Sequence, residues 1–208
     1  MNKIIFVGGA AGVGKSTICK KLAEMDRKII NLKFFKCISD EGLMLSKAEQ
    51  LERWDELQVS LVKNQIVPLI KTDKNIVFDT HYSFQRKGGS DIAFAKRSFD
   101  SSIPTELTYC SEFAISLTKL KISLALILLK AGANEIQLRQ TKDSGSFLTI
   151  ETIKKEQETE EKSWKDFTNL LQNTGLEIVS QIVDNTKSAK LTASKLLKSI
   201  SEVVLKNG

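Results

Sequence analysis

Hydrophobic and polar positions follow two different periods along this chain, and the two periods alternate. Short apolar runs rich in β-branched and aromatic residues predict buried strands, whereas apolar residues three or four positions apart predict helices with one buried face. We predict strands at residues 3–7, 28–35, 75–79, 121–129 and 176–183. We predict helices at residues 15–24, 46–71, 106–120, 134–141, 150–172 and 187–205. Strands that alternate with helices of this length predict a parallel sheet with helices on both faces.

Two of the predicted helices indicate which residues face the core. In the first helix, Ile18, Cys19 and Leu22 share one face. The second helix has a longer apolar stripe, made of Leu51, Trp54, Leu57, Leu61 and Val62. Pro68 is expected to interrupt or bend the last turn of this second helix, because proline has no backbone N–H to donate.

Length and composition fit one globular domain that spans residues 1–208. Hydrophobic residues make up 41% and charged residues 27%, which excludes a disordered tail, a collagen-like chain and a coiled-coil rod. The excess of 31 Lys and Arg over 25 Asp and Glu gives a net charge of +6. This charge indicates an anionic partner: nucleic acid, a membrane surface or a phosphorylated small molecule. Nucleic acid is the least favoured, because the lysines are scattered among acids.

The cysteines and the most apolar stretch bear on the compartment. Cys19, Cys37 and Cys110 form no C-x-x-C pair and are odd in number, which favours free thiols in a reducing environment. The first residues pass directly into a predicted strand, so we expect no signal peptide. The most apolar stretch, residues 122–129, is far shorter than the roughly 20 residues of a membrane-spanning helix. We therefore expect a cytoplasmic protein without a membrane segment.

The strongest motif follows the first predicted strand. It fits the pattern G-x-x-x-x-G-K-[ST] without a mismatch, as Gly9-Ala10-Ala11-Gly12-Val13-Gly14-Lys15-Ser16. Glycines let the backbone curl until several N–H groups point at a polyphosphate, and the helix that starts here adds its positive dipole end. The residues expected to bind the phosphates are Gly9, Ala10, Ala11, Gly12, Val13, Gly14, Lys15, Ser16 and Thr17. Lys15 is expected to reach the β- and γ-phosphates, and Ser16 to ligate Mg²⁺.

Two other interpretations of this motif are weaker. The first is an ordinary strand–helix turn with an incidental lysine, which the buried strand before it and the amphipathic helix after it argue against. The second is the dinucleotide fingerprint G-x-G-x-x-G. That pattern is incomplete here, because Gly12 and Gly14 are followed by Thr17 where the third glycine is required.

A carboxylate ends the third predicted strand. Asp79 closes an apolar run, and ligands of open α/β sheets bind at the carboxyl ends of the strands. A phosphate-binding loop needs an acid that orders the magnesium shell, so Ser16 and Asp79 are the candidate metal residues. The alternative is that Asp79 caps the next turn. His81, the only histidine, is either a hydrogen-bonded structural residue or a substrate contact.

Further cations are candidates for phosphate contacts. They are Arg86, Lys87, Arg139, Lys142 and Lys187. Each is either a solvated surface residue or a group that stabilises charge on the transferred phosphoryl oxygens. Arg139 and Lys142, after the fourth strand, are the best-placed pair. The glutamate-rich run at residues 156–161 is expected to be only a solvated helix face.

Two motifs together resemble a known family. The segments Val7-Gly8-Gly9-Ala10-Ala11-Gly12-Val13-Gly14-Lys15-Ser16-Thr17 and Val77-Phe78-Asp79-Thr80-His81 are similar to those of archaeal-type adenylate kinases, among the nucleoside monophosphate kinases. The order of elements is similar over most of the chain, and only these motifs are specific. The resemblance implies a three-layer P-loop NTPase fold: a five-stranded parallel sheet, helices on both faces and a short lid at about residues 139–150.

The resemblance also implies an activity. It implies transfer of the ATP γ-phosphoryl group to a nucleoside monophosphate, with AMP as the first guess and with ATP and Mg²⁺ as cofactors. The implied catalytic residues are Lys15, Asp79 and Arg139, the last as a lid arginine. The other implied site residues are Asp143 in the lid, Asn185 near the base, and Lys47 or Arg53 at the acceptor phosphate.

Two alternatives stay open. The first is a kinase of the same fold that phosphorylates another small acceptor. The second is a regulator that binds ATP without turnover, which the segment Ser144-Gly145-Ser146-Phe147 favours because the family has further arginines there. The resemblance makes a homo-oligomer plausible, and no stable nucleic acid or membrane partner is expected.

Overall fold

The computed structural model describes residues 2–82, 84–85, 106–107, 109, 111–120, 122–144, 148–176, 178–186 and 188–205. Several residues considered above lie outside this part: Arg86, Lys87, Cys110 and Lys187. The side chains of Lys47, Leu51 and Asp143 also lie outside the description. No helix in the described ranges has the length and apolar character that crossing a membrane requires.

The elements alternate as the sequence pattern predicts. The strands are β1 (Lys3–Gly8), β2 (Ile29–Lys33), β3 (Asn75–Asp79), β4 (Phe84–Gln85), β5 (Glu106–Leu107), β6 (Ser123–Lys130) and β7 (Ile178–Asp184). The helices are α1 (Lys15–Met25), α2 (Phe34–Glu41), α3 (Lys47–Glu52), α4 (Trp54–Leu61), α5 (Val67–Lys71), α6 (Ser111–Thr118), α7 (Ala133–Ser144), α8 (Ile150–Gln172) and α9 (Ala189–Leu205). A π-helical turn, Val62–Ile66, joins α4 to α5.

Five strands form one parallel sheet in the order β2-β3-β1-β6-β7, and β4 pairs with β5 separately and antiparallel. β1 is central, because Phe6 is paired with Phe78 of β3 on one side and with Leu126 of β6 on the other. The carboxyl ends of β1 and β3 therefore lie side by side. This is the edge at which ligands of open α/β sheets bind.

Each face of the sheet has its own apolar core. Phe6, Phe78 and Leu126 pack on one face with residues of α2, α4, α6 and α8. The alternate residues Val7 and Val77 pack on the other face with residues of α1, α7 and α9. The predicted α/β fold, with a five-stranded parallel sheet and helices on both faces, is confirmed.

Replacing Phe6 by alanine is expected to lower the free energy of unfolding by about 3–5 kcal/mol in urea titrations. Phe6 is fully buried, and its ring lies within 6.3 Å of five other aromatic rings. The control is Leu138→Ala on α7, whose side chain is 72% exposed and whose loss is expected to change stability by less than about 0.5 kcal/mol. A change below about 1 kcal/mol for Phe6→Ala would contradict this description of the core.

Three predicted elements differ from the structure. The prediction of a strand through residue 35 is wrong at its end, because β2 stops at Lys33 and Phe34 begins α2. The Phe34 ring then lies 5.5 Å from Phe78, and this packing overrides the strand propensity of an aromatic run. The single helix predicted at 46–71 is divided into α3, α4, a π-turn and α5, with Pro68 in the first turn of α5. The helix predicted at 106–120 is shorter, because residues 106–107 are β5.

Candidate functional site

The segment between β1 and α1 forms a tight loop in which Gly9, Gly12 and Gly14 all have positive φ. Gly9 has φ +142°, and a Cβ there would lie 2.5 Å from the Leu129 carbonyl oxygen. Gly14 has φ +99°, and a Cβ there would lie 2.6 Å from Asn185 Nδ2. A side chain at either position would strain the backbone and displace a neighbour. The loop therefore has the close curvature that a phosphate cradle needs.

Lys15, the first residue of α1, folds back over this loop. Its side chain is buried, and Nζ donates to the carbonyl oxygens of Gly9 at 2.7 Å and Ala10 at 3.0 Å. Burial lowers the pKa of Lys15 below its usual value, whereas the negative charges of Glu160 and Asp79 act to raise it. The ammonium group thus lies inside the curve of the loop.

Ser16 and Asp79 meet at the carboxyl edge of the sheet. The Ser16 hydroxyl donates to Asp79 Oδ2, and Asp79 is the last residue of β3, paired in register with Val7. A hydroxyl and a carboxylate are hard oxygen donors, which suit Mg²⁺. No group of three or more His, Cys, Asp or Glu side chains in the described ranges is arranged to hold a metal. This pair fits a magnesium ion whose remaining ligands are phosphate oxygens and water, as Mg²⁺ commonly has.

Arg139 of α7 and Asn185, which follows β7, both hydrogen-bond to the loop. Arg139 donates to the carbonyl oxygens of Val13 at 3.0 Å and Asn185 at 2.8 Å, and it pairs with Glu135 one turn earlier on α7. Asn185 Nδ2 also donates to Val13 O, at 2.8 Å. The buried Oδ1 of Asn185 has no hydrogen-bond partner among the described residues. Arg139 therefore lies within α7 and against the loop, whereas the lid boundaries stay a prediction.

A pocket of about 400 Å³ opens beside the loop. It is lined by Gly12, Gly14, Lys15, Ser16, Thr17, Arg139, Asn185 and Ala189. Gly12, Gly14, Lys15, Ser16 and Thr17 belong to the predicted phosphate-binding motif. Arg139, as a catalytic residue, and Asn185, near the base, are implied by the family resemblance. Ala10 and Val13 are buried in the protein interior, so their contribution to a ligand is limited to the backbone.

Three aromatic rings lie near the carboxyl ends of β2 and β3. The Phe35 ring is 5.5 Å from Trp54 of α4 and 6.1 Å from His81. All three side chains are partly exposed. The predicted acceptor cation Arg53 lies beside this group in sequence, but its guanidinium pairs with Glu56 in an exposed ion pair at 2.7 Å. Lys142, the other cation of the predicted pair with Arg139, is exposed on α7.

The prediction that residues 156–161 form only a solvated face is wrong. Glu160 is 3% exposed, and its two oxygens meet the imidazole of His81 and the backbone N–H of Tyr82. Glu161 pairs with Lys130 and Lys165, which hold the pKa of Glu161 at about 2. The charged residues of this run predict a solvated helix face. The helical spacing of Glu160 from Ile153 and Trp164 predicts instead that Glu160 is buried.

No sequence motif predicts two of the contacts at the site, namely those of Gln140 and of Glu160. Gln140 of α7 donates to the Ala11 carbonyl at 2.9 Å across 129 residues of sequence. Glu160 lies four residues before the buried Trp164 and seven after the buried Ile153. These intervals place Glu160 on the buried face of α8, and this signal was available in the sequence.

Comparisons with known proteins support the fold. The chain matches a structure of the tunicamycin resistance protein of Deinococcus radiodurans with a TM-score of 0.54 and 13% identity over 96% of each chain. A gluconokinase of Sinorhizobium meliloti matches with a TM-score of 0.49 and 13% identity, over 97% of this chain and 93% of that one. A deoxyadenosine kinase of M. mycoides matches with a TM-score of 0.44 and 16% identity, over 96% of this chain and 99% of that one.

Neither a protein-family model nor a curated protein matches the sequence. The likeness to the tunicamycin resistance protein supports the α/β fold with a five-stranded parallel sheet for this chain. The resemblance to archaeal-type adenylate kinases stays a prediction, because no family model and no curated protein matches.

Proposed function

We propose that this protein is an ATP- and Mg²⁺-dependent phosphotransferase that transfers the γ-phosphoryl group to a nucleoside monophosphate, with AMP as the first candidate acceptor. The observation that carries the proposal is the joint placement of Lys15 inside the loop and of the Ser16–Asp79 pair beside it. A buried ammonium inside a tightly curved glycine loop, with two hard oxygen donors at the same sheet edge, suits a nucleoside triphosphate.

The donor phosphates would replace the contacts that Lys15 makes now. Its ammonium is hydrogen-bonded to two loop carbonyls, and phosphate oxygens are stronger acceptors for it, because they carry negative charge. Mg²⁺, when bound, neutralises part of the charge on the phosphate oxygens. The pocket beside Gly14 and Asn185 has room for the nucleoside part of ATP, with Arg139 as a second cation at its wall.

Catalysis in this proposal is positioning and charge stabilisation, without a covalent intermediate. Phosphoryl transfer passes through a loose transition state that asks the protein for little covalent chemistry. Lys15 is the cation inside the loop that would meet the developing charge, whereas the same role for Arg139 would require its guanidinium to leave its present contacts with Val13 O and Asn185 O.

The acceptor side favours a molecule with a flat aromatic group. Phe35, Trp54 and His81 form a partly exposed aromatic group at the carboxyl ends of β2 and β3. Nucleobases stack on such side chains with about 1–3 kcal/mol per base. This supports a nucleotide acceptor over a polyol.

A panel assay tests the proposal. Purified protein is incubated with ATP and Mg²⁺ and with each nucleoside or deoxynucleoside monophosphate, while deoxynucleosides and small polyols cover the alternative acceptors. We expect ADP formation that a nucleoside monophosphate stimulates. Stimulation by a polyol alone would favour another small-acceptor kinase. ATP binding without turnover on any acceptor would favour a nucleotide-binding regulator, and failure to bind ATP at millimolar concentration would overturn the proposal.

Binding of AMP is expected to quench the fluorescence of Trp54 with saturation, because the base would stack beside the indole. The chain has two tryptophans, and the other, Trp164, is buried with its N–H bonded to Leu126 O at 3.2 Å. Trp164→Phe should therefore keep the quenching, and Trp54→Phe should lose it. Equal quenching in both variants would contradict an acceptor site at this aromatic group.

A further inference from the structure

Glu160 is a buried carboxylate with no part in the transfer chemistry described above. It lies in the middle of α8 and is 3% exposed. Its Oε1 lies 2.7 Å from His81 Nδ1, and its Oε2 accepts a hydrogen bond from the Tyr82 N–H at 2.8 Å. A carboxylate in a protein interior is unfavourable unless its oxygens find donors, and here both oxygens have one.

Tyr82, the backbone partner of Glu160, is itself fixed under the start of the phosphate loop. Its hydroxyl donates to Phe6 O of β1 at 3.0 Å and to Ile127 O of β6 at 3.2 Å. Its ring packs so closely on Gly8 that a Cβ there would lie 2.4 Å from the ring. Glu160 therefore fixes the backbone of Tyr82, whose side chain packs against Gly8 at the start of the loop.

The same segment begins with the candidate magnesium carboxylate. Asp79 ends β3, and the next residue, Thr80, donates its N–H to Val7 O at 3.1 Å. Residues 79–82 are therefore held at one end by the sheet and at the other by Glu160. A shift of α8 at Glu160 would be passed along four residues to the Asp79 carboxylate.

Glu160 also supplies negative charge near the buried ammonium. Among the charges that favour the protonated form of Lys15, that of Glu160 contributes more than that of Asp79. A buried lysine keeps its charge only if such carboxylates offset the loss of water. Removing the charge of Glu160 would weaken this support without touching the loop itself.

We propose that Glu160 is a positioning residue for MgATP, because it fixes the Asp79–Tyr82 segment against the phosphate loop through its contacts with His81 Nδ1 and the Tyr82 N–H. The proposal rests on the proposed function for its kinetic consequence. Its binding consequence does not need turnover. Replacing a residue that orients a metal ligand without touching the metal typically changes metal affinity or activity about 10–100-fold.

Glu160→Gln is the first test, because it keeps the shape and removes the charge. We expect kcat to fall about 10–100-fold and the Mg²⁺ concentration for half-maximal activity to rise. Glu160→Asp keeps the charge with a shorter reach, so it should recover part of kcat. Glu161→Gln is the matched control, because Glu161 is the next residue and pairs only with surface lysines among the described residues.

A second readout does not depend on turnover. His81 is the only histidine, so ¹⁵N-histidine labelling gives one imidazole in the NMR spectrum. We expect a hydrogen-bonded Nδ1–H signal in the wild type that shifts upfield in Glu160→Gln and stays in Glu161→Gln. ATP affinity is measured on the same proteins with and without Mg²⁺, and the gain in affinity from Mg²⁺ should be smaller in Glu160→Gln only.

The outcomes separate the two proposals. A wild-type protein that binds MgATP and turns over no acceptor would overturn the proposed kinase, and the Mg²⁺-dependent affinity would still decide the role of Glu160. If Glu160→Gln keeps the wild-type gain in affinity, kcat and imidazole signal, Glu160 is not a positioning residue. If Glu160→Gln lowers Tm but leaves kcat per folded molecule unchanged, Glu160 has only a structural role. Absence of ATP binding would overturn both.

Discussion

Replacing Lys15 by alanine is expected to lower kcat/KM for phosphoryl transfer by about 10³-fold, equal to about 4 kcal/mol of transition-state stabilisation. The ammonium lies inside the loop, bonded to Gly9 O and Ala10 O, where a polyphosphate would meet it. Among the residues that line the described pocket, Arg139 is the one other cation beside Lys15 that could stabilise charge on the transferred group. Steady-state ADP formation with saturating acceptor measures the loss.

The matched control for this change is Lys20→Ala. Lys20 lies on the same helix and is exposed, so its removal changes the net charge equally without touching the loop. We expect its kcat/KM to stay within about twofold of the wild type. If Lys15→Ala kept more than about a tenth of wild-type kcat/KM, the loop would not be the phosphate site of a kinase.

Replacing Asp79 by asparagine is expected to lower kcat about 100-fold and to raise the Mg²⁺ concentration needed for half-maximal activity. The side chain keeps its size and loses the charge that attracts the ion, while Ser16 retains its hydroxyl beside it. A titration of activity with Mg²⁺ at fixed ATP separates a weaker metal site from a general loss of activity. Replacing Ser16 by alanine in the same background should add little, because the two groups act together.

Asp73→Asn controls for the loss of one acidic charge near β3. Asp73 is exposed, pairs with Lys28 at 3.0 Å, and has φ +55°, which asparagine tolerates well. Its variant is expected to show wild-type Mg²⁺ dependence. A wild-type Mg²⁺ dependence in Asp79→Asn instead would remove Asp79 from the metal site.

The sequence predicts the central strands well because they are buried on both faces. β1 and β3 are continuous apolar runs, and such runs have few alternative structures next to a glycine-rich loop. The boundary between a strand and a helix is harder to predict where an aromatic residue fits either element equally well. Phe34 begins a helix because its ring finds Phe78 across the chain, a contact that no local window contains.

Some residues of the candidate site are predicted by local sequence, whereas others are brought to the site only by contacts between distant parts of the chain. The loop residues and Ser16 are contiguous, and Asp79 is marked by its place at a strand end, so motif and position were enough to select them. Glu160 reaches His81 and Tyr82 across 79 and 78 residues, and its neighbours in sequence are charged. Only the helical interval to the buried Trp164 could have indicated it.

The most direct measurement of the central claim follows the label from [γ-³²P]ATP. Wild-type protein is incubated with labelled ATP, Mg²⁺ and AMP, and the products are separated by thin-layer chromatography, with Lys15→Ala as the inactive control. We expect label in a nucleoside diphosphate, at a rate that depends on AMP and falls about 10³-fold in Lys15→Ala. Label that stays in ATP, or appears only as inorganic phosphate at the same rate without any acceptor, would contradict it.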